Sequence, residues 1–167
     1  GETQKLQQRA TFHIFQEYAR SGVFEQVILV DNTAAADMIG ELSIADYYQS
    51  LNLTIVPMVH FINVFNNSKA VMSTFGPLAE VSRIRTLGMV NVETGQEKTI
   101  FPLDTRNETR YYYAISSKSL KEDGKLHNKI RRQVKSKHEK SSFGIFETTY
   151  ENNFCYSLVC SREIAKL

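Results

Sequence analysis

Residues 43–67, SIADYYQSLNLTIVPMVHFINVFNN, decide the fold of this chain of 167 residues. Ser43 and Asp46 have the three-residue spacing of a capping box, which predicts the start of a helix. The helix is expected to run over residues 44–65, a length of about 33 Å at about 1.5 Å per residue, with a kink at Pro57. Apolar residues cover nearly every side of it. That pattern is typical of a long helix buried between two layers of structure.

A first helix and a short buried strand are expected before this central helix. Apolar residues recur every fourth position between residues 6 and 18, and Gly22 follows where a left-handed helix end would lie. The run VILV at residues 27–30 has no polar alternation, as in a strand of a parallel sheet that is covered on both faces. It ends at Asp31 and Asn32, and binding residues of α/β proteins tend to follow the carboxyl ends of strands.

The second half of the chain predicts a small sheet that carries one helix. The pattern indicates hairpin turns at Thr94-Gly95 and Asn152-Asn153, and a helix over about residues 124–138. Strands are expected at residues 87–92, 111–115, 143–146 and 154–160. The apolar stripe of the helix consists of Leu126, Ile130 and Val134. The fold class is therefore α/β: the end of a parallel sheet, a long buried central helix, and a small mixed sheet packed with a helix.

Net charge, cysteine spacing and the distribution of apolar residues limit the expected partners and cellular compartment of the protein. The net charge of +2 is too small to indicate a polyanionic partner. Cys155 and Cys160 are five residues apart in an expected strand, so they would lie on opposite faces, roughly 16 Å apart, and could not form a disulfide with each other. Two such thiols indicate a reducing cytoplasm. The N-terminal sequence lacks a signal-peptide pattern, and polar residues interrupt the longest apolar segment, so no membrane partner is expected.

The sequence lacks the residue patterns of several catalytic sites. All eight glycines are isolated, whereas a phosphate-binding loop needs several glycines close together so that backbone N–H groups converge on the anion. The four histidines have no metal-ligand spacing with each other or with the cysteines, so no metal site is expected. This chain alone is therefore not expected to be a complete enzyme.

Three short motifs occur in order around the central helix. They are VDN at residues 30–32, Tyr48 with Asn52 one helical turn later, and the loop TFGPLAEV at residues 74–81, which contains Glu80. This order resembles the middle and C-terminal part of the tubulin/FtsZ superfamily. In FtsZ-like proteins a strand ends in a similar asparagine motif, and the central helix has an aromatic residue four positions before an asparagine. An acidic loop of the form N-x-D-x-x-D/E follows that helix.

The resemblance is closest in character to the plasmid and phage tubulins, TubZ and PhuZ. A short hairpin at Thr94-Gly95 stands where the family has a helical insertion, and the composition is rich in Asn, Lys and Ile. It implies that residues 1–42 are the C-terminal edge of the GTPase domain, 43–67 the central helix, and 68–167 the activation and assembly domain. The parallel sheet would then be the nucleotide-binding one, and the glycine-rich phosphate loop would precede residue 1.

The resemblance implies nucleotide-binding roles for four residues. Asn32 would hydrogen-bond a purine edge, whereas an Asx turn that closes the strand is the ordinary alternative. Tyr48 and Asn52 leave one helical face together and would stack on the base and recognise its edge. Their ordinary alternative is packing in the core. Arg9 would lie near the phosphates, and its alternative is a solvated helix face.

The resemblance implies that Glu80 is the catalytic residue. It would reach the nucleotide of the next subunit and orient the attacking water. The alternative is a first-turn glutamate that stabilises the start of a following helix. Phe75 and Pro77 occupy the positions of the first asparagine and aspartate of the family's loop. Glu80 is therefore the one carboxylate of this loop.

The implied function is polymerisation and GTPase activation in a filament protein that positions DNA, as plasmid and phage relatives do. GTP or GDP would be held largely by a missing N-terminal domain, with Mg²⁺ as a possible ligand. The implied partners are further copies of the chain and a DNA-bound adaptor. Whether residues 1–167 count as an enzyme stays open, because hydrolysis would be completed between subunits.

A basic segment supports an alternative function. Residues 118–140 contain nine Lys or Arg and three Asp or Glu, a local net charge of +6. A non-catalytic α/β binding module could dock an acidic partner or nucleic acid through this helix. No interleaved aromatic residues support base stacking, and a solvated face of a packed helix is the commoner explanation.

Overall fold

A computed structural model of the chain describes residues 1–137 and 139–164. The elements follow in this order: α1 (Glu2–Ser21), β1 (Val27–Ile28), α2 (Asn32–Ile39), α3 (Tyr47–Asn66), β2 (Met72–Ser73), β3 (Ile84–Val90), β4 (Glu97–Thr99), β5 (Glu108–Ser116), α4 (Ser117–Glu122), α5 (Leu126–Lys135), β6 (Lys140–Thr148) and β7 (Phe154–Ser161).

The predicted end of α1 is confirmed. Gly22 has a φ of 81° and donates its N–H to the carbonyl of Ala19, while Val23 donates to the carbonyl of Tyr18 at 3.1 Å. These two bonds form a Schellman motif, which needs a residue that adopts positive φ easily. The apolar stripe of α1 is less buried than its spacing predicts. Gln16 and Ala19 are the helix's buried residues, and Leu6 and Ile14 are exposed.

The central helix α3 begins at Tyr47, three residues later than predicted. The Ser43 hydroxyl donates to the Asp46 carboxylate at 2.7 Å, so these residues form a turn of their own and Asp46 becomes the N-cap. The helix continues through Pro57 as far as Asn66.

One face of α3 is buried and the opposite face is exposed within this chain. The buried face consists of Leu51, Met58, Ile62 and Phe65. Leu53 is 69% exposed and Val56 is 61% exposed, and both lie on the other side of the helix. The apolar residues on nearly every side of α3 therefore predicted more burial of the helix than the described residues of this chain provide.

The seven strands of the described residues belong to one mixed sheet, in the order β1-β3-β7-β5-β6-β2, and β4 pairs with β3. β1 pairs with β3 and β5 pairs with β6 in parallel, and the remaining pairs are antiparallel. The four strands predicted in the second half are confirmed. The hairpin at Thr94-Gly95 is confirmed as well, because β3 and β4 pair across it and Gly95 has a φ of 76°.

The predicted hairpin turn at Asn152-Asn153 is wrong. β6 and β7 follow each other in the chain but do not pair, because β5 lies between them. The connection instead crosses the end of β5, where Asn153 Oδ1 accepts a hydrogen bond from the N–H of Ser116 at 2.8 Å.

The sheet separates two apolar cores. α2 and α3 cover one face, and α5 covers the other through Leu126, Ile130 and Val134, the predicted stripe. Cys160 lies in the first core and Cys155 in the second. Both thiols are free and buried, so their predicted placement on opposite faces is confirmed. The predicted helix end at His138 lies outside the described residues.

Candidate functional site

Asn32 is the first residue of α2 and is exposed. Its neighbour Asp31 is the N-cap, because Asp31 Oδ1 accepts a hydrogen bond from the N–H of Ala34 at 2.9 Å. The turn at the strand end is thus closed by Asp31, and the Asx-turn interpretation of Asn32 is wrong. Within residues 1–137 and 139–164 the Asn32 amide makes no side-chain hydrogen bond, so its donor and acceptor are available to a ligand.

Tyr48 and Asn52 lie on the first turns of α3 and are also exposed. Tyr48 is 72% exposed and contacts Tyr47 edge-on, with ring centroids 5.3 Å apart. Core packing therefore does not explain Tyr48. The Tyr47 hydroxyl lies 3.5 Å from the carbonyl of Asn32, a contact that places the start of α3 beside the start of α2. Tyr48 and Asn52 are one helical turn apart, and the contact made by Tyr47 places this turn near Asn32.

Arg9 lies on the exposed first half of α1. No hydrogen bond or ion pair joins it to Asn32, Tyr48 or Asn52 in the part of the chain that the structure describes. The position matches the solvated-face interpretation, and the structure does not bring Arg9 together with the other three residues.

Glu80 lies in an exposed turn that precedes β3. No helix follows it, so the interpretation as a first-turn glutamate is wrong. Its backbone carbonyl accepts a hydrogen bond from Arg83 Nε at 2.7 Å. Its carboxylate makes no hydrogen bond or ion pair with any described residue, which leaves it available to a neighbouring molecule.

The loop before Glu80 is fixed to the sheet by Phe75. The centroids of the Phe75 and Tyr112 rings are 5.0 Å apart. The Arg110 guanidinium carbon lies 4.9 Å from the centroid of the Phe75 ring in a cation–π contact. Arg110 Nη2 also donates to the carbonyl of Gly76. Gly144 lies beneath the ring, where an added Cβ would come within 2.8 Å of Phe75. Burial raises the pKa of Tyr112, so this anchoring residue stays neutral.

A buried carboxylate holds the other end of the loop. Glu108, the first residue of β5, accepts a hydrogen bond through Oε1 from the N–H of Ala79 at 2.7 Å. The backbone is therefore tied down immediately before Glu80. Sequence reasoning missed both Glu108 and Arg110. Their only signal is a pair of charged residues in an otherwise apolar strand, which does not reveal a partner 29 to 34 residues away.

The two groups of candidate residues lie at opposite ends of the molecule. Asn32 follows β1, whereas Glu80 lies where β3 and β5 begin, and α3 connects the two regions. Tyr48 and Asn66 are about 27 Å apart along the axis at about 1.5 Å per residue. A molecule bound at Tyr48 therefore does not contact Glu80 of the same chain.

The residues present fit a nucleobase better than a phosphate or a metal ion. Two amides and an aromatic ring can bind a base edge and face, and no isolated glycine forms a phosphate cradle. No group of three or more His, Cys, Asp or Glu that could hold a metal occurs within the described residues. None of the helices in that part of the chain is both long and apolar enough to cross a membrane.

The fold, but not the sequence, matches known proteins. No family model and no curated protein matches the sequence. A GTPγS-form protofilament of TubZ from Bacillus thuringiensis serovar israelensis matches with a TM-score of 0.55 and 15% identity over 90% of this chain and 46% of that one. A GTPγS-bound protofilament of CetZ2 from Haloferax volcanii matches with a TM-score of 0.54 and 16% identity over 87% of this chain and 49% of that one.

CetZ from Methanosaeta thermophila matches with a TM-score of 0.53 and 14% identity, over 83% of this chain and 43% of that protein. The chain thus spans a little under half the length of the structures that it resembles. At this level of identity the likeness concerns the fold. Over 83 to 90% of its length the chain therefore has the fold of part of these TubZ and CetZ structures, and the fold expected from the order of the motifs is confirmed.

Proposed function

We propose that this chain is the polymerisation and GTPase-activating part of a tubulin/FtsZ-like filament protein. Glu80 of one subunit completes the site in which the next subunit hydrolyses GTP. The observation that carries the proposal is the separation of Glu80 from Asn32, Tyr48 and Asn52 at opposite ends of α3. A head-to-tail filament brings these two ends together, and two of the fold's relatives are themselves protofilaments.

The guanine base is bound at the start of α3 in this proposal. Asn32 and Asn52 recognise the base edge through their amides, and Tyr48 stacks on the base. The phosphates are held by a part of the polypeptide that residues 1–167 do not include. Arg9 is the weakest member of the site, because no contact links it to the other three residues.

The exposed Glu80 carboxylate acts by position. It accepts a hydrogen bond from the water that attacks the terminal phosphate and so holds that water in line, which is most of what phosphoryl transfer requires. The tied backbone on either side of Glu80 limits its movement. Bound Mg²⁺ would supply neutralisation of phosphate charge.

The exposed apolar face of α3 supports the proposed domain organisation. Leu53, Val56 and Val64 form an uncovered stripe, and exposed apolar patches mark interaction surfaces. In the proposal, residues 1–42 complete a GTPase domain that packs on this stripe. Residues 43–67 are the connecting helix, and residues 68–167 form the assembly domain.

The cellular setting follows from two different arguments. The free buried thiols Cys155 and Cys160 support a reducing cytoplasm. For the positioning of plasmid or phage DNA through a DNA-bound adaptor, the resemblance to TubZ is the only support.

The test is GTP turnover and light scattering on the full-length protein, with Glu80→Gln compared with wild type. We expect phosphate release to fall at least about a hundredfold while assembly persists, because the carboxylate acts only on the neighbour's nucleotide. Glu147 is an exposed glutamate on β6, and Glu147→Gln is the matched control. It should leave both phosphate release and light scattering unchanged. Unchanged turnover in Glu80→Gln would remove Glu80 from the mechanism. A wild type with neither turnover nor assembly would favour the non-catalytic binding module.

A further inference from the structure

Acidic and basic side chains are segregated along this chain. Residues 21–68 contain no Lys or Arg and five carboxylates, Glu25, Asp31, Asp37, Glu41 and Asp46. Residues 118–140 have the opposite balance, a net charge of +6. The overall charge of +2 conceals this division.

The fold places the two regions on opposite faces of the sheet. The carboxylates Asp37, Glu41 and Asp46 lie on α2 and its connection to α3, which cover one core. Six of the nine basic residues lie on α4 and α5, and α5 covers the other core. The two groups therefore cannot neutralise each other within one molecule.

The two regions also lie at opposite ends of the sheet. α5 ends shortly before β6 begins, and Thr74 of the Glu80 loop donates its N–H to Phe143 near the start of that strand at 2.8 Å. The C-terminal end of α5 is thus on the Glu80 side. The acidic connection between α2 and α3 is on the side of Asn32 and Tyr48.

Most of these charges are exposed and without an ion-pair partner. Arg132 and Lys135 on α5, and Asp37 and Glu41 on the other side, are exposed and form no ion pair among the residues that the structure describes. Lys129 is an exception, because it pairs with Glu93. Favourable interaction of Arg132 and Lys135 with the helix dipole explains basic residues in the last turn of α5. It does not explain why residues 21–68 contain five carboxylates and no Lys or Arg.

We propose that the basic face of α5 docks on the acidic α2–α3 connection of a second copy of this chain. The inference rests on the proposed function and names the contact that joins consecutive subunits. Because the two regions lie on opposite faces of the sheet, a two-fold interface would contain the same region from each copy and would pair like charges, whereas head-to-tail contact pairs opposite charges and continues without closing. The same contact brings the Glu80 end of one subunit toward the Asn32 end of the next. Nucleic acid is a poorer fit, because α5 has no interleaved aromatic residues for base stacking.

Charge reversal in the full-length protein tests this contact, with GTP-dependent assembly followed by light scattering and sedimentation. One variant is Arg132→Glu with Lys135→Glu, and the other is Asp37→Lys with Glu41→Lys. Each alone should raise the critical concentration for assembly at least about tenfold, because like charges then face each other. Lys5→Glu with Lys69→Glu reverses two exposed charges, on α1 and in the connection between α3 and β2, and should leave the critical concentration unchanged.

An equal mixture of the two variants is the decisive measurement. One variant is basic on both surfaces and the other is acidic on both, so they should alternate and assemble within about threefold of the wild-type critical concentration. A mixture that fails to assemble, or single variants that assemble normally, would overturn the contact while leaving the Glu80 proposal standing if wild-type turnover persists. Loss of binding to a labelled DNA duplex in the α5 variant, unaffected by mixing, would indicate a nucleic-acid surface instead.

Discussion

Two carboxylates near one loop have different environments and different roles. Glu108 is buried and holds the N–H of Ala79, whereas Glu80 is exposed and makes no contact through its carboxylate with any described residue. A buried acceptor with a fixed donor positions a backbone, and a free carboxylate on that backbone is available for chemistry. Glu108 is in this sense a positioning residue for Glu80.

Glu108→Ala should therefore lower both stability and turnover. The Ala79 N–H loses its acceptor, a loss of about 1–3 kcal/mol in the free energy of unfolding. We expect assembly-dependent phosphate release to fall further than assembly itself, because the loop is no longer held. Urea unfolding and GTP turnover measure the two effects. Glu108→Gln keeps a carbonyl acceptor and should restore much of both. Equal loss in assembly and turnover would indicate a purely structural role.

The buried thiol of Cys160 makes stability depend on alkaline pH. Burial raises its pKa to about 11, more than the neighbouring Arg85 lowers it. The folded state therefore binds this proton more tightly than the unfolded state does. The contribution to stability is fully present below the unfolded pKa, near 8.5, and is lost as the pH rises toward 11.

The free energy of unfolding should consequently fall between pH 9 and 11, by up to about 1.4 kcal/mol per pH unit from this group. Buried tyrosines and Cys155 add slopes of the same sign. Urea titrations of wild type and Cys160→Ala at several pH values separate the contributions. The variant should be less stable throughout but should lose less stability over this range. Parallel curves would contradict the assignment.

The elements of this fold differ in how far sequence alone reveals them. α3, α5 and the four long strands have apolar periodicities that are local properties of the chain, so they were predictable. β2, β4 and α4 are two to six residues long and depend on neighbours that are distant in sequence. The order of the motifs predicted Asn32, Tyr48 and Asn52 as site residues, and that role stays a prediction. Glu108 and Arg110 were not predicted, because their partners depend on how β5 meets the loop.

The position of the loop that carries Glu80 depends on the absence of a side chain at Gly144 in β6. A Cβ at Gly144 would lie 2.8 Å from both the Phe75 and Phe146 rings, and Phe146 is buried. Gly144→Ala should displace Phe75 and destabilise the protein by about 1–3 kcal/mol, the usual range for overpacking. Denaturant unfolding measures this effect.

Gly124→Ala provides the matched control for this substitution. Gly124 has no atom within 4 Å of an added Cβ, so the change should be nearly neutral. Turnover in Gly144→Ala should decrease with loop displacement and should be unchanged in Gly124→Ala. A Gly144→Ala protein with wild-type stability and turnover would show that Phe75 does not anchor the loop.

At the scale of the whole molecule, the outer face of α3 is an apolar surface that the described residues leave uncovered. Leu53 and Val56 are exposed within this chain, although such residues are usually covered. If a GTPase domain packs there, Leu53→Ser with Val56→Ser should lower the thermal midpoint of the full-length protein by several degrees. Val71→Ser, at an exposed residue outside α3, should change it little. If the variant with Leu53→Ser and Val56→Ser had the same thermal midpoint as wild type, the proposed packing would be contradicted.

The central position of β7 has a consequence for how the protein is made. β7 pairs with both β3 and β5, yet it leaves the ribosome after every other strand of the described residues. Until it arrives, β3 and β5 present open edges that can pair with other chains, which is a common origin of aggregation. Folding also requires contacts that are distant in sequence, and these form slowly. Nascent chains that stop before residue 154 should therefore remain unfolded and should need a chaperone, whereas a few further residues allow the sheet to close in one cooperative step.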